Sequence, residues 1–69
     1  MPVIINLHVM MAKRRMGIVE LSRKTGMHYS NVSHLKNGRV KTIRLSAIEA
    51  ICRVLDCKPG DLFDYIAPD

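Results

Sequence analysis

The segment from Ile18 to Asn37 constrains this chain more than any other. Two short stretches carry apolar residues at helical spacing, Ile18 and Leu21 in the first and Val32 and Leu35 in the second, with Gly26 between them. Glycine adopts positive φ without steric cost, so Gly26 suits a tight turn that sends one helix steeply across another. Such a crossing needs a small residue one turn into the first helix, and Ser22 stands there. Leu21, Met27, Val32 and Leu35 fall on the inward positions of a shared core. The register therefore predicts a helix over 18–25, a turn at Gly26, and a second helix from about His28 to Lys36. Asn37-Gly38 closes that second helix as a C-terminal cap.

The rest of the chain fits around this unit. Sixty-nine residues make a single domain, 1–69. Pro2 to Ile5 reads as a short β-branched strand, and Asn6 can N-cap a helix from Leu7 that places Leu7, Met10, Met11 and Arg14 on one face. Gly17 ends that helix or opens the next. A basic loop from Arg39 to Arg44 leads to a helix over about Leu45 to Leu55, with Ile48, Ile51, Cys52 and Leu55 on one stripe. A short fifth helix is expected over about Asp61 to Ile66, with Pro59 and Asp61 at its positive end. Connections this short suit a compact helical bundle. The expected class is all-α, five helices with a short N-terminal strand.

Charge is unevenly spread. Residues 1–12 carry none, residues 13–44 hold nine bases and one acid, Glu20, and residues 45–69 hold two bases and five acids. The middle is thus +8 and the end −3, within a net charge of +5. A cationic face releases counterions from a polyanion, which points to nucleic acid on the middle segment and solvent on the acidic end. A merely solvated basic surface is the competing explanation, and the sharp split favours the first.

These residues resemble the phage Cro- and repressor-type, XRE-like, helix-turn-helix family. The likeness rests on Glu20-Leu21-Ser22, Thr25-Gly26-Met27, the run Val32-Ser33-His34-Leu35-Lys36-Asn37-Gly38, and the ending Cys57-Lys58-Pro59-Gly60-Asp61-Leu62. It covers about residues 7–66. The resemblance implies a lambda-repressor-like five-helix bundle that binds double-stranded operator DNA, usually as a homodimer or with two units on adjacent half-sites, hence a transcription regulator of the small single-domain kind.

Alignment with that family makes His28, Tyr29, Ser30, Ser33 and His34 the base-reading positions, at the start and outer face of the third helix. Neutral His donates or accepts, Ser pairs with several base edges, and Tyr can meet a thymine methyl or a phosphate. None of these is the bidentate Arg or Gln contact that makes a target sequence legible, and His28 is as well read as a helix cap. Phosphate or minor-groove contacts fall to Asn31, Lys36, Asn37, Arg39, Lys41, Thr42 and Arg44. The family often places Gln at the opening of the second helix as a phosphate clamp. Here Gly17-Ile18 stands instead, and Arg15 or Arg23 is left to substitute.

Other chemistries find less support. Cys52-x4-Cys57 is longer than most zinc spacings, Cys52 lies on an apolar stripe, and His28 and His34 do not share a helix face, so no metal or cofactor is expected. Glu20 is the one carboxylate of the basic region and reads as an ion-pair partner, which leaves no catalytic constellation and no enzyme. No run approaches a membrane span or a signal sequence, and Cys52 and Cys57 make no disulfide framework, so a cytoplasmic protein is expected. A protein-interaction module, such as an antitoxin-like partner of another protein, is the alternative. Val3, Ile4 and Ile5 bear on it, because an apolar strand edge pairs either within the chain or with the same strand of a second copy.

Overall fold

The computed structural model describes residues 3–67; Pro2, which the sequence reading placed in the first strand, lies outside them. In chain order it comprises β1 (Val3–Ile5), α1 (Leu7–Lys13), α2 (Ile18–Thr25), α3 (Tyr29–Lys36), α4 (Leu45–Leu55), α5 (Pro59–Leu62) and β2 (Phe63–Tyr65). All five helices contribute to one core. Leu7, Met10 and Met11 enter it from α1, Leu21 from α2, Val32 and Leu35 from α3, Ile51 and Leu55 from α4, and Leu62 from α5. Leu21 is fully buried, and α2 packs against both α3 and α4, so the two-helix unit and the fourth helix share one apolar centre. Ile48, expected on the inner stripe of α4, is only half-buried.

Three helix ends, those of α1, α3 and α4, follow one device. At the end of α1, Arg15 turns left-handed (φ 52°) and the Met16 N–H donates to the Met11 carbonyl at 2.9 Å. At the end of α3, Gly38 does the same (φ 69°) and the Arg39 N–H donates to His34 O at 2.9 Å. At the end of α4, Asp56 (φ 51°) is followed by Cys57 N–H donating to Cys52 O at 3.1 Å. These are six-residue Schellman closures, which set the last residue of the motif against one on the final turn. They explain the cysteines: Cys52 and Cys57 form such a pair, both free, both half-buried and packed on the core. Burial first, then Cys52 and Asp61 nearby, push the Cys57 thiol up to about 11, against the partial relief of Arg14. Gly17, read as either an end or a start, is a start: it stands at the N-cap of α2 in extended conformation.

The C-terminal segment departs from expectation. The fifth helix is a single turn that begins at Pro59 and stops at Leu62, and residues 63–65 are extended. Antiparallel pairing joins Val3 to Tyr65, Ile4 to Asp64 and Ile5 to Phe63. A helix continued to Ile66 would have left β1 without these partners, whereas pairing satisfies backbone groups of both segments and presses Ile5 and Phe63 against the core. Phe and Tyr at alternating positions suit a strand, and a one-turn helix has little tendency to propagate. The open question of the N-terminal strand is answered here: one edge of β1 is paired within the chain. Asn6 follows β1 at the N-cap position of α1 but makes no side-chain capping bond, and its N–H instead donates to Leu62 O at 2.6 Å.

Candidate nucleic-acid interface

The site is built on α3 and the loop that follows. His28 does not belong to the helix proper; it is the N-cap, in extended conformation, and its Nδ1 accepts the Ser30 N–H at 3.1 Å. Before it, Thr25 secures the turn: its hydroxyl donates to Leu21 O at 2.7 Å and accepts the Met27 N–H at 3.2 Å, while Gly26 takes φ 75°. Val32 and Leu35 bury one side of α3. At 100° per residue the opposite side carries Ser30, Ser33, His34 and Asn37, a polar stripe free of large apolar groups. Tyr29 and Lys36 lie on one flank, and Tyr29 is 52% exposed, so it is not packed away at the helix entry.

The loop is held from inside. Val40 and Ile43 are half-buried against the core, whereas Arg39, Lys41, Thr42 and Arg44 are exposed. The basic side chains are therefore displayed from a pinned segment, an alternation visible in the sequence as apolar residues interleaved with bases. Arg44 is the N-cap of α4 but provides no side-chain cap, and the first turn of α4 contains no acidic residue, so the amide end of that helix keeps its partial positive charge.

Between α3, the loop and α4 runs an open groove of about 630 Å³ that gathers His28, Asn31, His34, Thr42, Arg44 and Ser46. Five of these were expected contacts; Ser46 was not, and its place at the free end of α4 is the signal that could have found it. Lys36 and Asn37 instead line a smaller concavity of about 320 Å³ with Val3, Ile4, Ile5 and His8, so the end of α3 abuts β1. Tyr29, Ser30, Ser33, Arg39 and Lys41 line neither.

Three bases of the middle segment are otherwise placed. The Arg14 guanidinium reaches the end of α4, with Nε donating to Leu55 O at 2.7 Å and Nη2 to Asp56 O at 3.0 Å. Lys24 pairs with Glu20 at 3.0 Å, one turn apart on α2. Arg15 forms the left-handed turn after α1. Ile18, where a clamp would stand, is packed against the core.

Among the described residues no group of three or more His, Cys, Asp or Glu side chains comes together, and no helix is long and apolar enough to cross a membrane. The description of the Cro/C1-type HTH DNA-binding domain matches residues 6–68 of this sequence. The sequence is also similar to YozG of Bacillus subtilis (strain 168), named as an HTH-type transcriptional regulator: 54% identity over 65 residues, covering 94% of this chain and 77% of the relative.

Proposed function

This chain belongs to the Cro/C1-type helix-turn-helix DNA-binding family, and we propose that it is a sequence-specific transcription regulator that reads the major groove with α3 and binds as a dimer. One observation carries the reading: α3 turns a polar stripe outward beside a loop whose bases are held out by Val40 and Ile43. A helix fits the major groove, and positive charge on either side of it would grip the phosphate backbone. His28, Ser30, Ser33 and His34 then meet base edges, with Tyr29 at the flank. Asn31, Lys36, Asn37, Arg39, Lys41, Thr42 and Arg44 meet phosphates, and the amide end of α4 with Ser46 joins Arg44 in that role. The whole chain acts as this one DNA-binding unit, in the cytoplasm and without a catalytic step or cofactor.

Selection from a random duplex library tests the reading. It should enrich an inverted repeat with half-sites about 34 Å apart, one helical turn. On such a site His34→Ala weakens binding by ~1–3 kcal/mol and spares non-specific DNA, whereas Lys41→Ala or Arg44→Ala weakens all sequences and lowers the salt slope by about 1 each. Equal effects of both classes on every DNA would refute α3 as the reader.

A second reading rests on the sheet. Val3, Tyr65 and Ile66 are 48%, 61% and 61% exposed, and Val3 and Tyr65 are register partners. That apolar end, with the remaining edge of β1, suits association with a second copy, or with another protein in the antitoxin-like alternative. Light scattering that shows only monomer at high micromolar concentration would refute a strand-mediated dimer.

A further inference from the structure

Ile48 belongs by its spacing to the inner stripe of α4, yet it is half-buried and is not among the apolar side chains packed on the core. Leu45, one turn earlier, is 76% exposed, more than any other large apolar residue among those described. Neither sits on a loose end. The Ala47 and Ile48 N–H groups both donate to Arg44 O, at 3.0 and 3.2 Å, so the first turn of α4 is formed. Ile43, packed on the core, anchors the loop before it. The two side chains make a fixed apolar flank that the described residues leave open.

The flank has a direction. Ser46, Ala47 and Ala50 line the groove between α4 and α3. At 100° per residue Leu45 and Ile48 lie about half a turn away from them, with the core-facing Ile51 and Leu55 between. A neighbour on the flank is therefore separated from α3 by α4 itself. With a second copy as that neighbour, the order along a duplex is α3, α4, α4, α3. Packed helices lie ~8–10 Å apart, and an open groove separates α3 from α4. Three steps of ~10 Å, the outer two widened by the grooves, approach the ~34 Å between half-sites.

We infer that Leu45 and Ile48 form the contact through which a second copy docks, and that this contact closes only on DNA. The inference rests on the chain being a regulator that binds DNA as a dimer, and it puts the dimer contact on α4 rather than on the sheet. Area limits association in free solution. Stable interfaces bury about 800 Å² per partner, more than two aliphatic side chains supply. Charge opposes it as well. Arg44 adjoins Leu45, and Arg39 and Lys41 are exposed on the same loop, so joining two flanks brings two basic loops together. Phosphates beneath both loops remove that repulsion. DNA is a poorer occupant of the flank, because Ile48 stands about 4.5 Å further along α4 than Leu45 and offers nothing to a phosphate.

Two duplexes test it, a selected inverted repeat and the same duplex with one half-site scrambled. The coupling between copies is the factor by which the full repeat is bound more tightly than two independent half-sites. In Leu45→Ser, which alters an exposed side chain and keeps the fold, coupling should fall about 5- to 30-fold. Half-site affinity should stay within about twofold of the parent. Sedimentation should show the free parent chain as monomer at high micromolar concentration, and as two copies on the full repeat.

Equal losses per copy on the half-site and the full repeat would make Leu45 a DNA contact and overturn the inference. So would a free dimer that Leu45→Ser leaves intact. Coupling that survives Leu45→Ser but is lost in Tyr65→Ser would move the interface to the sheet, with the dimeric regulator still standing. A parent chain that shows no coupling, or a library that enriches no repeat, would refute the dimer reading itself and this inference with it.

Discussion

Arg14 counts by sequence among the nine bases of the cationic middle, yet in the fold it is a structural clamp on the end of α4. Replacing it with Gln separates the two roles. Its Nε bond to Leu55 O, at 2.7 Å and partly buried, is a charge-assisted hydrogen bond; such bonds contribute ~1.5–3 kcal/mol. The Nη2 bond to Asp56 O, at 3.0 Å, is exposed to water and adds less. A cation at the negative end of α4 contributes a further ~0.3–1 kcal/mol, which overlaps with the hydrogen bonds rather than adding to them. Discounted for exposure, the loss in Arg14→Gln is about 1.5–3 kcal/mol. Total stability for a chain of this length is on the order of 3–10 kcal/mol, so the loss is a large fraction of it. Domains of this size shift by ~4–8 °C per kcal/mol, so the melting temperature should fall by roughly 6–24 °C.

Urea titration followed by circular dichroism at 222 nm measures the change directly, with an unchanged m-value expected. Arg14→Lys, which keeps the charge but not the two-pronged geometry, should recover only part of the loss. At a temperature where both chains are folded, the salt slope of DNA binding should match that of the wild type, unlike Lys41→Ala. A stability change below about 0.5 kcal/mol, or a salt slope reduced by about 1, would refute the structural placement of Arg14.

Two further perturbations follow from the helix ends. Arg15 holds φ 52°, a conformation that strains any residue with a Cβ, so Arg15→Gly should raise the denaturation midpoint by the equivalent of about 1 kcal/mol. A lower midpoint would mean that the turn after α1 is not left-handed, and a reduced salt slope in the same variant would identify Arg15 as the substitute for the missing clamp at Ile18. The Cys57 thiol, raised from 9.0 to about 11, binds its proton more tightly folded than unfolded. Its contribution to stability is therefore complete below about pH 9 and lost as the pH rises toward 11. Urea midpoints measured across that interval should decline less steeply in Cys57→Ala than in the parent, and parallel declines would show that burial does not hold the thiol protonated.

Legibility in the sequence followed the range of the interactions. The start of α2, the whole of α4 and the end of α3 were readable because helical periodicity and a glycine at a left-handed turn are local signals: Gly26 and Gly38 mark two ends without reference to any other part of the chain. The ends at Arg15 and Asp56 use the same backbone conformation with residues that do not advertise it, so α1 and α4 close without a glycine. The loop carried a clue that charge alone obscures, since Val40 and Ile43 interleave with its bases. Leu62, fully inside the core, was hidden because only one helical turn surrounds it.

What the residues determined by themselves is the two-helix unit, the polar outward stripe of α3 and the segregation of positive charge, because each depends on spacing within a few residues. Tertiary structure decided the rest. Phe63–Tyr65 became a strand because β1, some sixty residues earlier, presents an unpaired edge to it. Arg14 left the DNA-facing inventory because α4 ends within its reach, 41 positions along the chain. The cap at the start of α3 lies between these extremes: its partner is only two residues away, but composition and periodicity are blind to a ring nitrogen. Only the folded turn brings the Ser30 amide within 3.1 Å of Nδ1 and so makes His28 the cap of α3.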